Sequence, residues 1–454
     1  MIIKNSFLYF ITKLISAILS FILIILLTRY LGDEQFGKYT QVQSLSLLIG
    51  SALFLPLTAS ITRFFPIEEN KNELLRNIYF LYGIISIMVF CVGSIFLTNQ
   101  KIELYLLVSL FIISKGLHDL NLEINRASLS VLRYSIQTLT QIITLLSSIY
   151  ILSYFSIIEL NWENTFILII ISYVISSLIY THKFRIQKVN KQKIIEYFSY
   201  SKSLFLIYLL GFSFQLIDRQ IIAYYLPDSK LAYYSVFYSL SQSILILMIS
   251  SFSMVCYPLL VKHYQTALFE DNNKKLFYLT FGFSIPILFG YVSISKELII
   301  LFFNENYYIE LKNIIWPIAL GIFNIAIAAN YFDFSFKLAK KNEKQIYVFI
   351  IPLTIIIAGN LIFIEQYGLV ASALSFLIAT LVLLMTTFIL GRKYCPLFID
   401  YNYILIVSFC SFLMYYLLKY VSIENIIYNF ILKIIIGIFI YFTLTGIYIW
   451  KKIK

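Results

Sequence analysis

The sequence predicts an all-α integral membrane protein of about fourteen crossing helices. They form two six-helix bundles joined by a basic linker, with two further helices at the C-terminal end. Three observations carry this prediction. Of the 454 residues, 60% are hydrophobic and only 13% charged, and the mean hydropathy is +0.85. Soluble domains carry about 25% charged residues, and half that fraction does not cover the surface of a chain this long. Second, apolar runs of about 20 residues, the length a helix needs to cross the hydrocarbon core, recur from end to end. Third, one stretch is written twice. Residues 30–39 (YLGDEQFGKY), followed by Ser44-Leu45-Ser46, return as 225–234 (YLPDSKLAYY), followed by Ser239-Leu240-Ser241, at a constant offset of 195 residues (225 − 30 and 239 − 44). A period this long is not that of a solenoid. It indicates two large halves related by duplication.

In order, the crossing helices are expected over 7–28, 40–62, 78–98, 104–121, 134–154, 164–181, 203–224, 234–257, 276–294, 312–334, 346–364, 369–390, 402–420 and 426–450. The first run is interrupted only by Lys13 and ends in Thr-Arg-Tyr. No small-residue cleavage site follows, so it reads as a membrane helix and not a removed signal peptide. Each copy of the repeated stretch begins where one apolar run gives out, which marks it as a loop. Residues 365–368 leave room for only a tight turn. Pro56, Pro286, Pro317 and Pro352 fall inside expected spans, where neighbouring groups can satisfy the carbonyls a proline frees. Cys91, Cys256, Cys395 and Cys410 lack ligand spacing and read as free, apolar-like side chains.

Orientation follows from Lys and Arg in alternate loops. Of the 35 such residues, 25 fall in the loop set that includes both termini, against six in the other set: Arg29, Lys38, Lys101, Lys230, Lys296 and Lys419. Lys13, Arg219, Lys312 and Lys433 fall within spans. Both termini are therefore expected in the cytoplasm. Both copies of the repeat lie outside in the same orientation, as a parallel repeat requires. The divisions are then residues 1–181, a basic cytoplasmic linker 182–202, residues 203–391, and the added pair of helices in 392–454. The net charge of +12 reads as cytoplasmic loop charge, not as a nucleic-acid surface. The external loops are short. A membrane glycosyltransferase or polymerase usually needs a sizeable loop with acidic catalytic residues, so the chain is not read as an enzyme. No glycine-rich phosphate loop, metal-ligand cluster or nucleophile–base pair is present, and no cofactor or metal is expected.

Ionisable residues deep in a membrane are expensive and face protein or water, so they are the best candidates for a polar cavity. Ser6, Tyr9, Lys13, Ser16 and Ser20 fall within about 80° of one another at 100° per residue, a polar stripe headed by a cation. Lys13 either lines a cavity for an anionic substrate or snorkels to the interface. Gln215 and Asp218, with Arg219 beside them, lie deep in the seventh helix. Substrate contact competes there with a structural ion pair. Asn330, Asp333 and Lys337 share a face of the tenth helix, where Asp333 and Lys337 at i,i+4 read most simply as an interfacial pair. Asn429, Lys433 and Gly437 form a stripe on the last helix, with Lys433 in need of a partner or a groove. Arg63 closes the second helix as a phosphate contact or a positive-inside anchor. Gln137 and Gln141 read as helix-to-helix hydrogen bonds. His118, His182 and His263 map to cytoplasmic helix ends or loops.

These residues resemble a family. Residues 26–39 (LLTRYLGDEQFGKY) are similar to the first-loop signature of Wzx-type flippases of polysaccharide biosynthesis, in the multidrug/oligosaccharidyl-lipid/polysaccharide exporter superfamily. Asp218-Arg219, then Leu226-Pro227-Asp228 and Tyr233-Tyr234, resemble its second-half signature, although Ala232 stands where a glycine is common. The resemblance extends over the whole chain in helix number and placement. It implies a MATE-like V of two six-helix bundles around a cavity open alternately to each side. The implied substrate is a polyprenyl-diphosphate-linked oligosaccharide (an O-antigen, capsule or exopolysaccharide unit), carried between leaflets of the bacterial cytoplasmic membrane. Other polysaccharide-assembly membrane proteins are implied as partners. An ion-coupled exporter of small molecules is the alternative within the same fold.

Overall fold

The structure, a computed structural model, describes residues 2–95, 102–155, 159–179, 190–264 and 266–453, a few side chains within these excepted. Residues 180–189, with His182, Lys183, Arg185 and Lys188 of the expected linker 182–202, lie outside the described residues, and the rest of that linker from Lys191 on is helical. Lys101 and the side chains of Ser6 and Cys256 also lie outside the described residues. The chain divides into two compact units, Met1–Ala232 and Tyr233–Lys454.

The first unit is built from α1 (Ile2–Phe64), α2 (Lys71–Ile95), α3 (Ile102–Ala127), α4 (Val131–Tyr154), α5 (Trp162–Ile179) and α6 (Lys191–Tyr225). The repeated stretch is not a loop in its first copy, as its position between apolar runs suggested. The chain stays helical through it except at Gly32, whose φ of 69° and ψ of 172° turn the path between two helices. Only glycine takes this backbone freely, so one residue replaces a loop. In the second copy the break falls at the equivalent place. α6 ends at Tyr225, Leu226 is extended, and α7 (Asp228–Ser241) starts after Pro227. Gly32 and Pro227 are related by the offset of the repeat. The two copies also touch. A Cβ on Gly37 would lie 1.9 Å from the carbonyl oxygen of Asp228, so only a glycine permits this approach. α6 packs along α1, and Asn190 caps its start by accepting from the amides of Gln192 and Lys193.

In the second unit a π-helical turn (Gln242–Ile246) joins α7 to α8 (Leu247–Lys262). Then come α9 (Ala267–Phe302), the short α10 (Glu305–Leu311), α11 (Ile315–Ile327), a second π turn (Ala328–Phe332) and α12 (Phe334–Leu338). The order closes with α13 (Ile346–Tyr367), α14 (Leu369–Arg392), α15 (Tyr401–Leu418) and α16 (Ile426–Ile453). α15 and α16 both pack on α9. The Tyr403 hydroxyl donates to the Tyr278 carbonyl at 2.9 Å, and the Tyr441 hydroxyl to that of Gly282. Pro56, Pro286 and Pro352 sit inside helices as expected, but Pro317 falls in the first turn of α11, where its missing N–H disturbs nothing.

Twelve helical stretches among the described residues are long and apolar enough to cross a membrane, against about fourteen expected. Two physical reasons account for the difference. Ile11–Phe64 counts once, yet its 54 residues would run about 80 Å if straight, against a hydrocarbon core of about 30 Å. Second, α3 was expected to end at 121 but runs on to Ala127. Within its expected span Lys115, His118, Asp119 and Asn121 make it too polar to qualify, and Glu123 and Arg126 follow. Those charges are handled locally. Lys115 pairs with Asp119 at 2.6 Å, and His118 Nδ1 meets the Ser176 hydroxyl of α5 at 2.7 Å. Gln137 donates to the His118 carbonyl and Gln141 to Ser172, the interhelical bonds their spacing predicts.

Candidate functional site

The first unit holds two features. One is a polar cluster where the N-terminal half of α1 meets the end of α3 and the start of α4. The Tyr9 and Tyr134 rings pack edge to face, 5.1 Å apart, and the Thr12 and Ser135 hydroxyls share a hydrogen bond of 2.6 Å. These contacts seat α1 on α4 and leave Lys13, the next residue, exposed. The charge of Arg126 acts on both Lys13 and Tyr9. Arg126 is tied to Glu123 at 3.0 Å, and Glu123 also accepts from Thr62 at the end of α1. Both charges act on Tyr208 of α6 as well. Like charges on packed helices repel, and an anion between them would relieve that repulsion. The Tyr9 hydroxyl and the Ser16 Oγ are buried without a hydrogen-bond partner among the described residues. Unsatisfied buried groups are rare, and each asks for an explanation.

The second feature is a groove of about 880 Å³ between α1, α2, α3 and α6. Leu45, Ile49 and Leu53 form one wall, and Ile85, Met88 and Val108 the others. Lys202 lies at one end and Gln41 and Gln220 at the other. Gln220 donates to the Gln41 carbonyl at 3.0 Å and the Ser44 hydroxyl at 2.7 Å, joining α6 to α1 there. Along α6, Lys202 and Gln220 are about 27 Å apart at about 1.5 Å per residue, nearly the depth of a hydrocarbon core. Ser201, Phe205 and Tyr208 follow one another at i, i+4 and i+7, so the groove wall and the polar cluster share one face of α6. The arrangement suits a ligand with an anionic head and a long apolar tail.

The family model of the polysaccharide biosynthesis protein matches residues 2–263. The chain belongs to this family. Among solved structures, the polysaccharide biosynthesis chain is similar to lipid II flippase MurJ in an inward closed conformation. The TM-score is 0.76 and the identity 16%, over 98% of this chain and 99% of that one. It is also similar to an inward-facing multidrug resistance MATE family transporter of the MOP superfamily, with a TM-score of 0.59 and 11% identity over 85% and 97% of the two chains. An outward-facing MATE structure gives 0.54 and 13% over 86% and 94%. At these identities the likeness is one of fold. No match was found among curated protein sequences.

The residues singled out by sequence are distributed over several places in this family member. Lys13, Ser16 and Ser20 lie on the first half of α1, with both serines half-buried. Arg63 is exposed in the last turn of α1. Asp218 and Arg219 are buried in α6. Asp218 Oδ1 accepts the Arg219 amide at 2.8 Å, and the Arg219 guanidinium donates to the Gln215 carbonyl at 3.1 Å. In the second unit, Asn330 sits in the π turn and accepts from the Ser253 hydroxyl at 2.9 Å. Asp333 pairs with Lys337 at 2.7 Å, as the i,i+4 spacing predicts, and accepts from Gln345. Lys433 pairs with Glu297 at 2.5 Å, and Asn429 donates to the same oxygen at 2.9 Å. The stripe of Asn429, Lys433 and Gly437 therefore turns toward α9 and α15, with a Gly437 Cβ falling 3.2 Å from Leu418. Sequence reasoning missed Glu297 because the ninth span was ended at 294, whereas α9 continues to Phe302. It missed Arg126 because that residue was counted as a loop charge.

Proposed function

We propose that this protein is a flippase that moves a polyprenyl-diphosphate-linked oligosaccharide from the inner to the outer leaflet of a bacterial cytoplasmic membrane, with both of its termini in the cytoplasm. The observation that carries the reading is the groove of about 880 Å³ that runs nearly the depth of a bilayer on the same elements as Lys13 and Arg126. Its size falls within the roughly 300–1,000 Å³ of ligand sites. The prenyl tail would lie along Leu45, Ile49, Leu53 and Ile85. The diphosphate would sit against Lys13 and Arg126, with Tyr9, Tyr208 and Ser16 as further donors. Family membership supports a role in polysaccharide assembly, and the fold it shares with a lipid II flippase supports an amphiphilic cargo.

In this reading residues 1–181 and 203–391 are the two repeat halves, linked by 182–202, and they alternate access by rocking. The boundary between the two compact units after Ala232 follows the packing of α6 on α1, a different partition from the repeat. An ion gradient or the membrane potential, worth about 2.3 kcal/mol per charge per 100 mV, supplies the drive. The likeness to MATE structures and the buried Asp218 favour a second reading, an ion-coupled exporter of small molecules. Deletion of the gene separates the two. A flippase deletion accumulates the lipid-linked unit in the inner leaflet and loses surface polysaccharide. Normal polysaccharide with lost drug efflux in a pump-deficient host would reject the first reading and support the second.

A further inference from the structure

The second unit contains a cavity of about 390 Å³ where α9 ends, α10 gives way to α11, α15 ends and α16 begins. Four lysines line it: Lys296, Lys312, Lys419 and Lys433, against the single carboxylate of Glu297. Charge statistics make this gathering unexpected. The loop set that contains it holds only six of the 35 Lys and Arg residues, and two of them, Lys296 and Lys419, are here. Two of the four cations assigned to spans, Lys312 and Lys433, are here as well. A face otherwise depleted of positive charge thus concentrates it in one cavity.

The cations are held in distinct ways. Lys433 is neutralised by Glu297. Lys296 lies over the Tyr308 ring at 5.6 Å and Lys419 over Tyr415 at 4.9 Å, which fixes their ammonium groups without neutralising them. Lys312 is exposed and has no carboxylate within ion-pair distance among the described residues. Glu297 supplies the second, independent observation. It is only 5% exposed, its Oε1 accepts from both Lys433 and Asn429, and its Oε2 has no hydrogen-bond partner among the described residues. An ionised carboxylate oxygen only accepts, so this atom lacks a donor. Trp316 and Tyr415 add aromatic surface, their rings 5.3 Å apart.

We propose that this cavity binds an anionic polyol. Its carboxylate or phosphate is held by Lys312, Lys419 and Lys296, and a neighbouring hydroxyl donates to Glu297 Oε2. Two sources share that chemistry: an acidic sugar in the translocated glycan, and the glycerol phosphate headgroup of an anionic lipid. The first source rests on the flippase reading; the cavity chemistry does not.

The test uses the full-length protein purified in detergent or nanodiscs. Sodium glucuronate and glucose are titrated by calorimetry. Phosphatidylglycerol and phosphatidylcholine nanodiscs are compared by thermal shift. Saturable, salt-sensitive binding of glucuronate but not glucose supports the site and names a sugar. Stabilisation by phosphatidylglycerol alone supports the site and names a lipid. In either case Lys312→Ala with Lys419→Ala weakens the response roughly tenfold or more, as loss of charged hydrogen bonds requires. Both side chains are exposed, so the double variant keeps the unfolding temperature of the unliganded protein. If it does not, Lys312→Gln alone is read in the same way. No response to either anionic probe, or an equal response in wild type and variant, overturns the proposal. Glucuronate binding in a protein whose deletion leaves export normal would keep the site and remove the glycan as its source.

Discussion

Replacing Lys433 by methionine tests the buried ion pair that anchors α16 to α9. The two side chains are 12% and 6% exposed, and the Nζ–Oε1 distance is 2.5 Å. Methionine keeps most of the volume and removes the charge. Glu297 would then be a buried carboxylate with one hydrogen bond, from Asn429, and one oxygen that already lacks a partner. Breaking a buried pair from one side costs about 3–5 kcal/mol. Lys296, Lys312 and Lys419 remain around the same cavity, and their field favours the lower end, about 3 kcal/mol. At the roughly 2–4 °C per kcal/mol of a unit of this size, that is a fall of about 6–12 °C in unfolding temperature. Fluorescence-monitored unfolding in detergent measures it. Adding Glu297→Gln to Lys433→Met removes the orphaned charge and should restore most of the loss. A single variant that loses less than about 1 kcal/mol, or a double variant no more stable than the single, refutes the reasoning.

Gly37→Ala places a Cβ 1.9 Å from the Asp228 carbonyl oxygen, so backbone must move. A destabilisation of at least about 1–3 kcal/mol is expected, read as a lower unfolding temperature, while alanine at the neighbouring exposed Lys38 has little effect. Lys13→Ala and Arg126→Ala should each lower export of the lipid-linked unit several-fold without reducing membrane insertion, measured by surface polysaccharide at matched protein levels. Asp218→Ala should lower export as well; full complementation by all three would remove these residues from the path. Asp400, the cap of α15, gives a pH signature. Burial alone would raise its carboxyl, but hydrogen bonds from Lys452, the Tyr403 amide and the Tyr278 hydroxyl outweigh that and hold it below the usual carboxylate range. A group depressed in the folded state stabilises above its unfolded value and loses that contribution as pH falls through the folded one. Asp400→Asn should therefore lower stability near neutral pH and flatten the acid limb of the stability profile, as thermal unfolding across pH would record.

Much of the fold was legible in sequence because membrane insertion writes itself into composition. A crossing helix must satisfy its backbone internally and present apolar side chains for about 20 residues. Apolar run length therefore located α4, α5, α13, α14 and α15 to within a few residues. The correspondence of the two copies was legible too, since Gly32 and Pro227 break the chain at equivalent points. Run length failed where charge enters a helix that packs against protein. α3 runs past its expected end at 121 because Glu123 there accepts from Thr62 of α1 and from Arg126 one turn on. α9 outlasts its expected end by a full turn and more, since Lys433 and Asn429 await Glu297 there.

The sequence by itself determined that this chain is a bundle of membrane helices, how its helices follow one another, and which few ionisable residues needed a polar setting. Those are one-dimensional facts, set by the length and periodicity of apolar runs. The tertiary structure alone decided which partner each such residue meets. Lys13 and Arg126 are far apart in the chain, as are Glu297 and Lys433. Electrostatic energy depends on distance through space, and the packing of α1 against α3 and α4, and of α9 against α16, sets that distance.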